Sequence, residues 1–447
     1  MDQAPRSDLR SLLASGLSKS LVSLLIKVAT AGLTYAMYVV LSRLMGITEY
    51  GYFAFGLSLA TILAIGANYG QQTAILRYWP EAIVAGLPRK ASEALRAGGA
   101  ITIFVGALIS GGLVVVGAAV GGFGFPAWHL IATATLILPL ALAEYWSSAL
   151  RAQGSVWTAL TPRDIVWRLA VPLLVVALYA AGVQLSGAAA LLLTATVLAL
   201  SLGLQFMLAR QRGYEIAPGR QGLAVYWSER GKPSRSFFLG TVLDSAALNI
   251  DIILVGLIVA PAAAGIYFNA VRTAGLLTLF MFAITLVVAP MVARHYHAGE
   301  MHKAQAITAL CAWAGFLFSL VVFVGFLLFG EEILGLFGEG QEAGQAILIL
   351  LSIGLLVDAA TGPSRIVLMM TGHERDYVRI FGLIVVVSFI VQLVAIPLFG
   401  LVGAAAVTMS ARILAQTAIA WFAWRRIGLE TTLLGAFLVN RARDRTT

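Results

Sequence analysis

The sequence predicts an all-α protein that crosses a membrane many times, and three observations predict it. Of its 447 residues, 60% are hydrophobic and only 11% are charged, whereas a soluble domain carries about 25% charged residues. The apolar residues form long runs, each near the ~20 residues that a helix needs to cross a bilayer. None of these runs alternates with the period of two that is typical of a barrel strand. A soluble enzyme and a disordered or fibrous chain are therefore disfavoured.

Twelve apolar segments are interpreted as transmembrane helices, arranged in two sets of six. A basic cytoplasmic linker, residues 210–236, separates an N-terminal bundle, 1–209, from a C-terminal bundle, 237–447. The tail stretch 429–440 is apolar but too short to cross, so we expect an interfacial helix or a frayed end there. The predicted spans are 20–42, 52–76, 98–120, 129–150, 169–186, 188–209, 237–259, 265–291, 306–330, 344–370, 378–398 and 401–424.

The basic residues predict the orientation of these spans. If the N-terminus is cytoplasmic, the loops on that side receive 25 of the 30 Lys and Arg residues, and the opposite loops receive only Arg43. Cytoplasmic loops of membrane proteins carry such an excess of positive charge. The pattern therefore predicts that both termini are cytoplasmic and that the number of spans is even. The same bias explains the net charge of +9 without a nucleic-acid partner.

The two halves also resemble each other, which indicates an internal repeat. Three short matches recur at an offset of 213 to 216 residues, each at the same place in the span plan. Because each half has six spans, the repeats are predicted to be parallel, with a cleft between two bundles, as in many transporters. The alternative is a duplicated scaffold with no transport role. The matches pair Gly51 with Gly265, Lys90-Ala91 with Lys303-Ala304, and Gly187-Ala188-Ala189 with Gly403-Ala404-Ala405.

Eight ionisable side chains lie inside the predicted spans. Each costs about 2.5–3.5 kcal/mol at the centre of a bilayer, so we expect them to face a partner or an aqueous cavity. The alternative is a set of structural ion pairs between helices, or side chains that extend toward the headgroups. The four bases are Lys27, Arg272, Arg365 and Arg412, and the four acids are Glu144, Asp244, Asp251 and Asp358.

Helical spacing groups these charges with other polar residues. Asn269 shares a face with Arg272, and Asp358 lies three residues before Thr361 on the face that carries Arg365. The pair Gly362-Pro363 should open that helix and free backbone groups toward the cavity. Arg77 and Arg151 are predicted at the cytoplasmic mouth.

Specific sequence motifs resemble one family of transporters. The chain is similar over its whole length to the polysaccharide-biosynthesis (Wzx-type) flippases of the multidrug/oligosaccharidyl-lipid/polysaccharide exporter superfamily. The segments that carry the resemblance are LSRLMGITEYGYFAF from Leu41, AAAGIYFNAVRTAGLL from Ala262 and PLFGLVGAAAV from Pro397, together with Gly70, Arg77, Pro290 and Tyr296.

The resemblance implies a flippase of the plasma (inner) membrane that moves a polyprenyl-diphosphate-linked oligosaccharide to the outer leaflet, for O-antigen, capsule or exopolysaccharide assembly. It implies that the four intramembrane bases and Asn269 contact the headgroup, and that the four acids serve ion coupling or gating. The implied partners are the lipid-linked substrate, membrane lipids and polymerase or other assembly proteins.

Two alternative functions remain open from the sequence. The first is a cation-coupled multidrug exporter of the same superfamily, and the second is a membrane-embedded glycosyltransferase or polysaccharide ligase. The outer loops are short, which disfavours an enzyme of the second kind. We expect neither a cofactor nor a metal site, because no nucleotide-binding or metalloprotease motif is present, and the single Cys311 rules out a cysteine-based metal site.

Overall fold

The computed structural model describes residues 28–119, 126–219 and 221–437, and within these ranges the chain is helical with no strand. The helices are α1 (Val28–Met45), α2 (Ile47–Asn68), α3 (Gln71–Val84), α4 (Pro88–Ala119), α5 (Ala127–Ala152), α6 (Val156–Leu160), α7 (Trp167–Ala180), α8 (Gly187–Gln211), α9 (Leu223–Ile258), α10 (Pro261–Ala274), α11 (Leu279–His297), α12 (Met301–Gly335), α13 (Gln345–Thr361), α14 (Ser364–Met370) and α15 (Glu374–Phe422).

Nine helical stretches in the described part of the chain are long and apolar enough to cross a membrane. The predicted number of twelve is three higher because one predicted span is short, one is interrupted and two are joined. α7 has only 14 residues and follows a π-helical turn, Thr161–Val166. α10 and α11 are separated by a 3-10 turn, Gly275–Thr278. α15 contains two predicted spans, and Gly400 breaks its helical geometry with φ of 59°. The count of twelve stays a prediction.

Glycine and proline fix where several of these helices end. The predicted second span, 52–76, is two helices, because Tyr69 and Gly70 adopt φ of 46° and 75° between α2 and α3. A side chain at Gly70 would also collide with the backbone of Ser234 and Phe238. Glycine is the residue that combines a positive φ with such a close approach.

Much of the predicted linker is helical. α9 begins at Leu223 and continues without interruption to Ile258. Its first turns pack on α3 and the turn before it: the Tyr226 hydroxyl donates to Gln71 Oε1 at 2.7 Å, and the Tyr69 ring stacks on Phe238 with centroids 4.8 Å apart.

The chain folds into two compact units. The first comprises Met1–Met45 and Gly56–Ser245, and the second comprises Gly46–Phe55 and Ala246–Thr447. In the first unit a buried core surrounds Tyr145, whose hydroxyl donates to the Leu95 carbonyl at 2.5 Å. In the second unit a core includes Cys311, Val367 and Leu429. The predicted division at residues 210–236 stays a prediction.

The tail after α15 is not a regular helix where the structure describes it. A π-helical turn, Ala423–Ile427, leads to Gly428 with φ of 76°. Residues 428–434 are irregular, and helix resumes only at 435–437. The rest of the stretch for which we predicted an interfacial helix lies outside the described residues. The tail instead packs on the second unit, as described below.

Candidate functional site

A cavity of about 110 Å³ lies within the second unit. Side chains of α9, α10, α13 and α15 and of the 3-10 turn line it. Its polar lining includes Asp251, Thr408 and Arg412, and most of the other lining residues are Ala, Leu, Val or Met. The cavity therefore combines an apolar wall with one acid and one base, both of which the sequence singles out.

Asp251 is the most deeply buried of these polar groups, with 3% of its surface exposed. Its carboxylate accepts hydrogen bonds from the Tyr267 hydroxyl at 2.9 Å and from the Thr408 hydroxyl at 3.2 Å. The Gln392 amide donates to the Thr408 oxygen at 3.1 Å, while the buried Gln392 Oε1 has no partner in the described ranges. The Ile252 N–H donates to the other oxygen of Asp251 at 3.0 Å, and no arginine of the described residues is bonded to this carboxylate. A buried carboxylate held by neutral donors has the chemistry to take up a proton or a small cation.

Arg412 and Asp358 form an ion pair beside this network. The Arg412 Nη1 lies 3.3 Å from Asp358 Oδ2, and their side chains are 26% and 27% exposed. α15 carries the base and α13 carries the acid. Arg412 also lines the cavity. Asp358 therefore occupies a guanidinium that could otherwise bind an anionic ligand.

Arg272 lies on α10 and is half-buried. Its Nη2 donates to Asn249 Oδ1 at 3.1 Å, and its guanidinium lies 4.6 Å from the centroid of the Phe268 ring. Its Nε is buried and has no hydrogen-bond acceptor among the residues that the structure describes. No carboxylate is bonded to Arg272 in that part of the chain. A buried, charged donor that lacks an acceptor is costly unless something supplies one.

Arg365 is exposed on the short helix α14, with its guanidinium 5.1 Å from the centroid of the Tyr377 ring. Asn269 is fully buried, where its amide accepts from the Tyr50 hydroxyl at 2.6 Å and donates to Gln341 Oε1 at 3.0 Å. In this conformation Asn269 has no surface for a ligand, although the sequence places it on the face of Arg272.

The helix break at Gly362 and Pro363 forms where the sequence predicts it. Gly362 adopts φ of 65°, and α13 ends at Thr361. The carbonyl of Ala360 is freed from the helix as expected, but it accepts from the backbone N–H of Leu433 at 3.0 Å. The expected opening toward a cavity is therefore corrected for this group: the C-terminal tail fills the position.

A second charged cluster lies in the first unit, at the π-helical turn before α7. Arg163 pairs with Glu144 on α5 and lies 3.6 Å from Asp164, and Arg168 lies 3.5 Å from the same carboxylate. Asp164 is 1% exposed. Arg151 is exposed and donates to Ser148 Oγ at 3.0 Å.

Sequence reasoning missed Arg163, Asp164 and Arg168 as members of this cluster, because they precede the predicted span and the two arginines count as loop charges. The available signal was the helix-starting Pro162, which precedes an acid flanked by two bases. Of the other predicted residues, Arg77 is exposed on α3 and Asp244 is half-buried on α9. Lys27 lies outside the described residues.

Comparison with known proteins places this fold. No family model matches the sequence. The chain is 26% identical over 163 residues to the probable low-salt glycan biosynthesis flippase Agl15 of Haloferax volcanii, a match that covers 36% of this chain and 34% of that protein. The match thus spans about a third of the length of that curated relative.

Solved structures match over nearly the whole chain. The structure of the lipid II flippase MurJ in an inward closed conformation is similar with a TM-score of 0.69 and 13% identity, covering 94% of this chain and 91% of MurJ. An inward-facing multidrug resistance MATE family transporter of the MOP superfamily is similar with a TM-score of 0.66 and 14% identity, covering 91% of this chain and 98% of its own. A MOP superfamily transporter from Pyrococcus furiosus is similar with a TM-score of 0.65 and 14% identity, covering 92% of this chain and 95% of that transporter.

These similarities show a multi-pass membrane protein with the fold of the MOP superfamily transporters. The relatives reported above are transporters or flippases by name, which agrees with the resemblance that the sequence motifs indicate and with a chain that is not an enzyme.

Proposed function

We propose that this chain, which has the fold of the MOP superfamily transporters, flips a polyprenyl-diphosphate-linked oligosaccharide from the cytoplasmic to the outer leaflet for surface polysaccharide assembly. The observation that carries the proposal is the buried Nε–H of Arg272, a charged donor without an acceptor in the described part of the chain. A diphosphate has the anionic oxygens that such a donor needs. The partial similarity to a glycan biosynthesis flippase supports the same assignment.

The second unit offers a second base for the same headgroup. Arg412 lines the cavity but is paired with Asp358 at 3.3 Å. Both side chains are partly exposed, so a ligand in the cavity can reach the pair. We infer that the headgroup displaces Asp358 from Arg412 when it binds, and that Asp358 takes Arg412 back when the headgroup leaves.

The energetics of the task do not require ATP. The polyprenyl chain stays in lipid while the polar headgroup crosses between leaflets. Outward movement of negative charge across an inside-negative membrane gains about 2.3 kcal/mol per charge for each 100 mV. A diphosphate with about two charges therefore gains roughly 4–5 kcal/mol at 100 mV. A proton or sodium ion at Asp251 could add to this driving force.

We propose twelve spans with both termini in the cytoplasm, and polymerase or other assembly proteins as partners. The orientation rests on the bias of Lys and Arg toward one side. The three interruptions in the fold, at the π-helical turn, at the 3-10 turn and at Gly400, account for the difference between nine long helices and twelve spans.

The direct test is transport in proteoliposomes. Purified protein is reconstituted with a fluorescent, short-chain polyprenyl-diphosphate oligosaccharide, and a membrane-impermeant quencher reports how much of the substrate has crossed. We expect transport that accelerates when a potential of the outward-driving sign is imposed, and none in protein-free vesicles. Absence of transport at every potential and ion gradient would count against the proposal, as would intact surface polysaccharide in a deletion strain.

A cation-coupled multidrug exporter is the second candidate, and the composition of the cavity favours it. Asp251 lies within a wall that is mostly Ala, Leu, Val and Met, which suits an apolar cation. The same vesicles loaded with cationic dyes separate the two functions. Dye export without movement of the lipid-linked oligosaccharide would support the exporter, and the reverse result supports the flippase.

Replacement of Asp251 by asparagine tests ion coupling. Asparagine can still accept from Tyr267 and Thr408, but it cannot take up a proton or neutralise a cation. Under the proton or sodium gradient that drives the wild type, we expect the transport rate of the variant to be about tenfold lower, which is within the usual range of coupling between two sites. The remaining rate should no longer depend on that gradient.

Rates measured across a pH and sodium series check this prediction. The matched control is Asp376→Asn, which removes an acid from the exposed pair with Arg379 at 3.8 Å. A gradient dependence in Asp251→Asn equal to that of the wild type would remove Asp251 from the coupling role.

A further inference from the structure

The tail residues 428–437, here called the strap, are attached to the second unit by hydrogen bonds rather than by helix packing alone. The side-chain amide of Gln305 on α12 bonds both backbone groups of Glu430: Nε2 donates to its carbonyl at 2.6 Å, and Oε1 accepts from its N–H at 2.9 Å. The Trp313 indole donates to the Leu433 carbonyl at 3.1 Å. Two side chains of α12 therefore hold the strap.

The other side of the strap fills the break between α13 and α14. The Leu433 N–H donates to the freed Ala360 carbonyl at 3.0 Å. The hydroxyls of Ser364 and Thr431 lie 2.9 Å apart. Thr431 is fully buried, and its carbonyl lies so close to Gly362 that any side chain there would collide with it. The strap thus supplies the donors and packing that the interrupted helix lacks.

α14 is a helix of seven residues between two glycines with positive φ, Gly362 at 65° and Gly372 at 82°. So short a helix is not stable by itself, and it depends on its neighbours, of which α11 and α15 pack along it. The contacts of the strap with Ala360 and Ser364 lie at its N-terminal end. Arg365 is the second residue of α14, directly after Ser364. The strap therefore holds the end of α14 that carries this base, while α11 and α15 pack along the helix.

We propose that the strap fixes the N-terminal end of α14, and with it Arg365, at the break that follows α13, and that Gln305 is the positioning residue that holds the strap in place. The proposal on the strap rests on the contacts above. Its consequence for substrate binding rests in addition on the proposed function, because Arg365 is one of the bases assigned to the headgroup.

The native Cys311 gives a test that needs no transport. Cys311 is 2% exposed and lies in the same buried cluster as Val367 and Leu368 of α14 and Leu429 of the strap. If Gln305→Ala releases the strap, a maleimide should label Cys311 about tenfold faster than in the wild type, since three hydrogen bonds to the strap are lost, including a long one to the Gly435 carbonyl at 3.5 Å.

The matched control is Gln345→Ala, which removes a glutamine bonded to the Phe326 carbonyl at 3.3 Å, at the other end of α13. Its labelling rate should equal that of the wild type. An unchanged rate in Gln305→Ala, or an equal increase in both variants, would overturn the proposal. Should Gln305→Ala fail to fold, Trp313→Phe keeps an aromatic ring but removes the donor to the strap, and about a threefold increase is expected.

A disulfide tests whether Gln305 acts through the strap. In a Cys311→Ala background, Ser364→Cys and Thr431→Cys place two thiols where the hydroxyls are 2.9 Å apart. We expect Gln305→Ala to raise the apparent KM for the lipid-linked oligosaccharide about tenfold with little change in maximal rate. Oxidation of the two cysteines should restore the KM, and reduction should raise it again.

The two proposals fail in different ways. A KM that oxidation does not restore would overturn the positioning role of Gln305. If the wild type moves no lipid-linked oligosaccharide, the proposed function fails, and Cys311 labelling still decides whether the strap holds α14.

Discussion

Transport of the lipid-linked oligosaccharide is expected to fall about a hundredfold when Arg272 is replaced by alanine, while the protein still inserts and folds. A hydrogen bond to a charged group is worth about 1.5–3 kcal/mol. Arg272 has one buried Nε–H without an acceptor among the described residues, and its Nη2 donates to the neutral Asn249. Removal of the side chain leaves no buried charge behind, so the effect should fall on substrate binding rather than on stability.

The proteoliposome assay measures this effect, with thermal unfolding of the purified variant as a check on folding. Arg272→Lys keeps the charge but loses the planar fork, so an intermediate rate is expected. Arg375→Ala removes an exposed arginine at the start of α15 and should transport like the wild type. A wild-type transport rate in Arg272→Ala would contradict the assignment of Arg272 to the headgroup. A wild-type rate in Arg365→Ala would contradict the same assignment for Arg365.

Replacement of Gly362 by alanine is expected to destabilise the protein by about 3 kcal/mol. A residue with a side chain costs roughly 1–3 kcal/mol in the backbone region, open essentially to glycine alone, that Gly362 occupies with φ of 65° and ψ of −156°. Its new Cβ would also collide with the carbonyl of Thr431 and lie 2.8 Å from the Ala312 Cβ. Overpacking of this kind costs about 1–3 kcal/mol.

Thermal or denaturant unfolding of the purified protein measures the change. Gly372→Ala separates the two causes, because Gly372 has φ of 82° but a Cβ added there would meet no atom within 4 Å. We expect it to cost only the backbone part, about 1–2 kcal/mol. Equal destabilisation by both substitutions would show that the collision with the strap contributes nothing.

The all-α class and most helix positions could be predicted from the sequence, because long apolar runs without charge have few other stable structures in a bilayer. The interruptions were harder to predict. The Gly-Pro pair at 362–363 predicts a helix break, and the structure has a break at that position. The π-helical turn at Thr161–Val166 and the 3-10 turn at Gly275–Thr278 each contain only one such residue, Pro162 and Gly275, which alone does not predict a break.

The polar residues of the site were predictable in part. The sequence predicts that Asp251 faces a partner or a cavity, because ionisable groups inside a span are costly in lipid, and Asp251 lines the cavity in the structure. Asn269 shows the limit of that reasoning: helical spacing gives the face of a helix but not what packs on it, and Tyr50 and Gln341 occupy both of its polar groups. The strap could not be predicted, because Gln305 and Glu430 are 125 residues apart and their bonds are to backbone groups.

The contact between Gly51 and Gly265 has a consequence for how the two halves can diverge. A side chain at Gly265 would lie 3.1 Å from the Gly51 Cα, and one at Gly51 would collide with the Pro261 carbonyl. These are the two glycines that the sequence repeat aligns. A side chain at either glycine would press on the segment that carries the other, because α2 and α10 approach each other closely at this point. Neither glycine can be replaced by a larger residue unless the facing helix moves, so both positions of the predicted repeat are constrained to remain glycine.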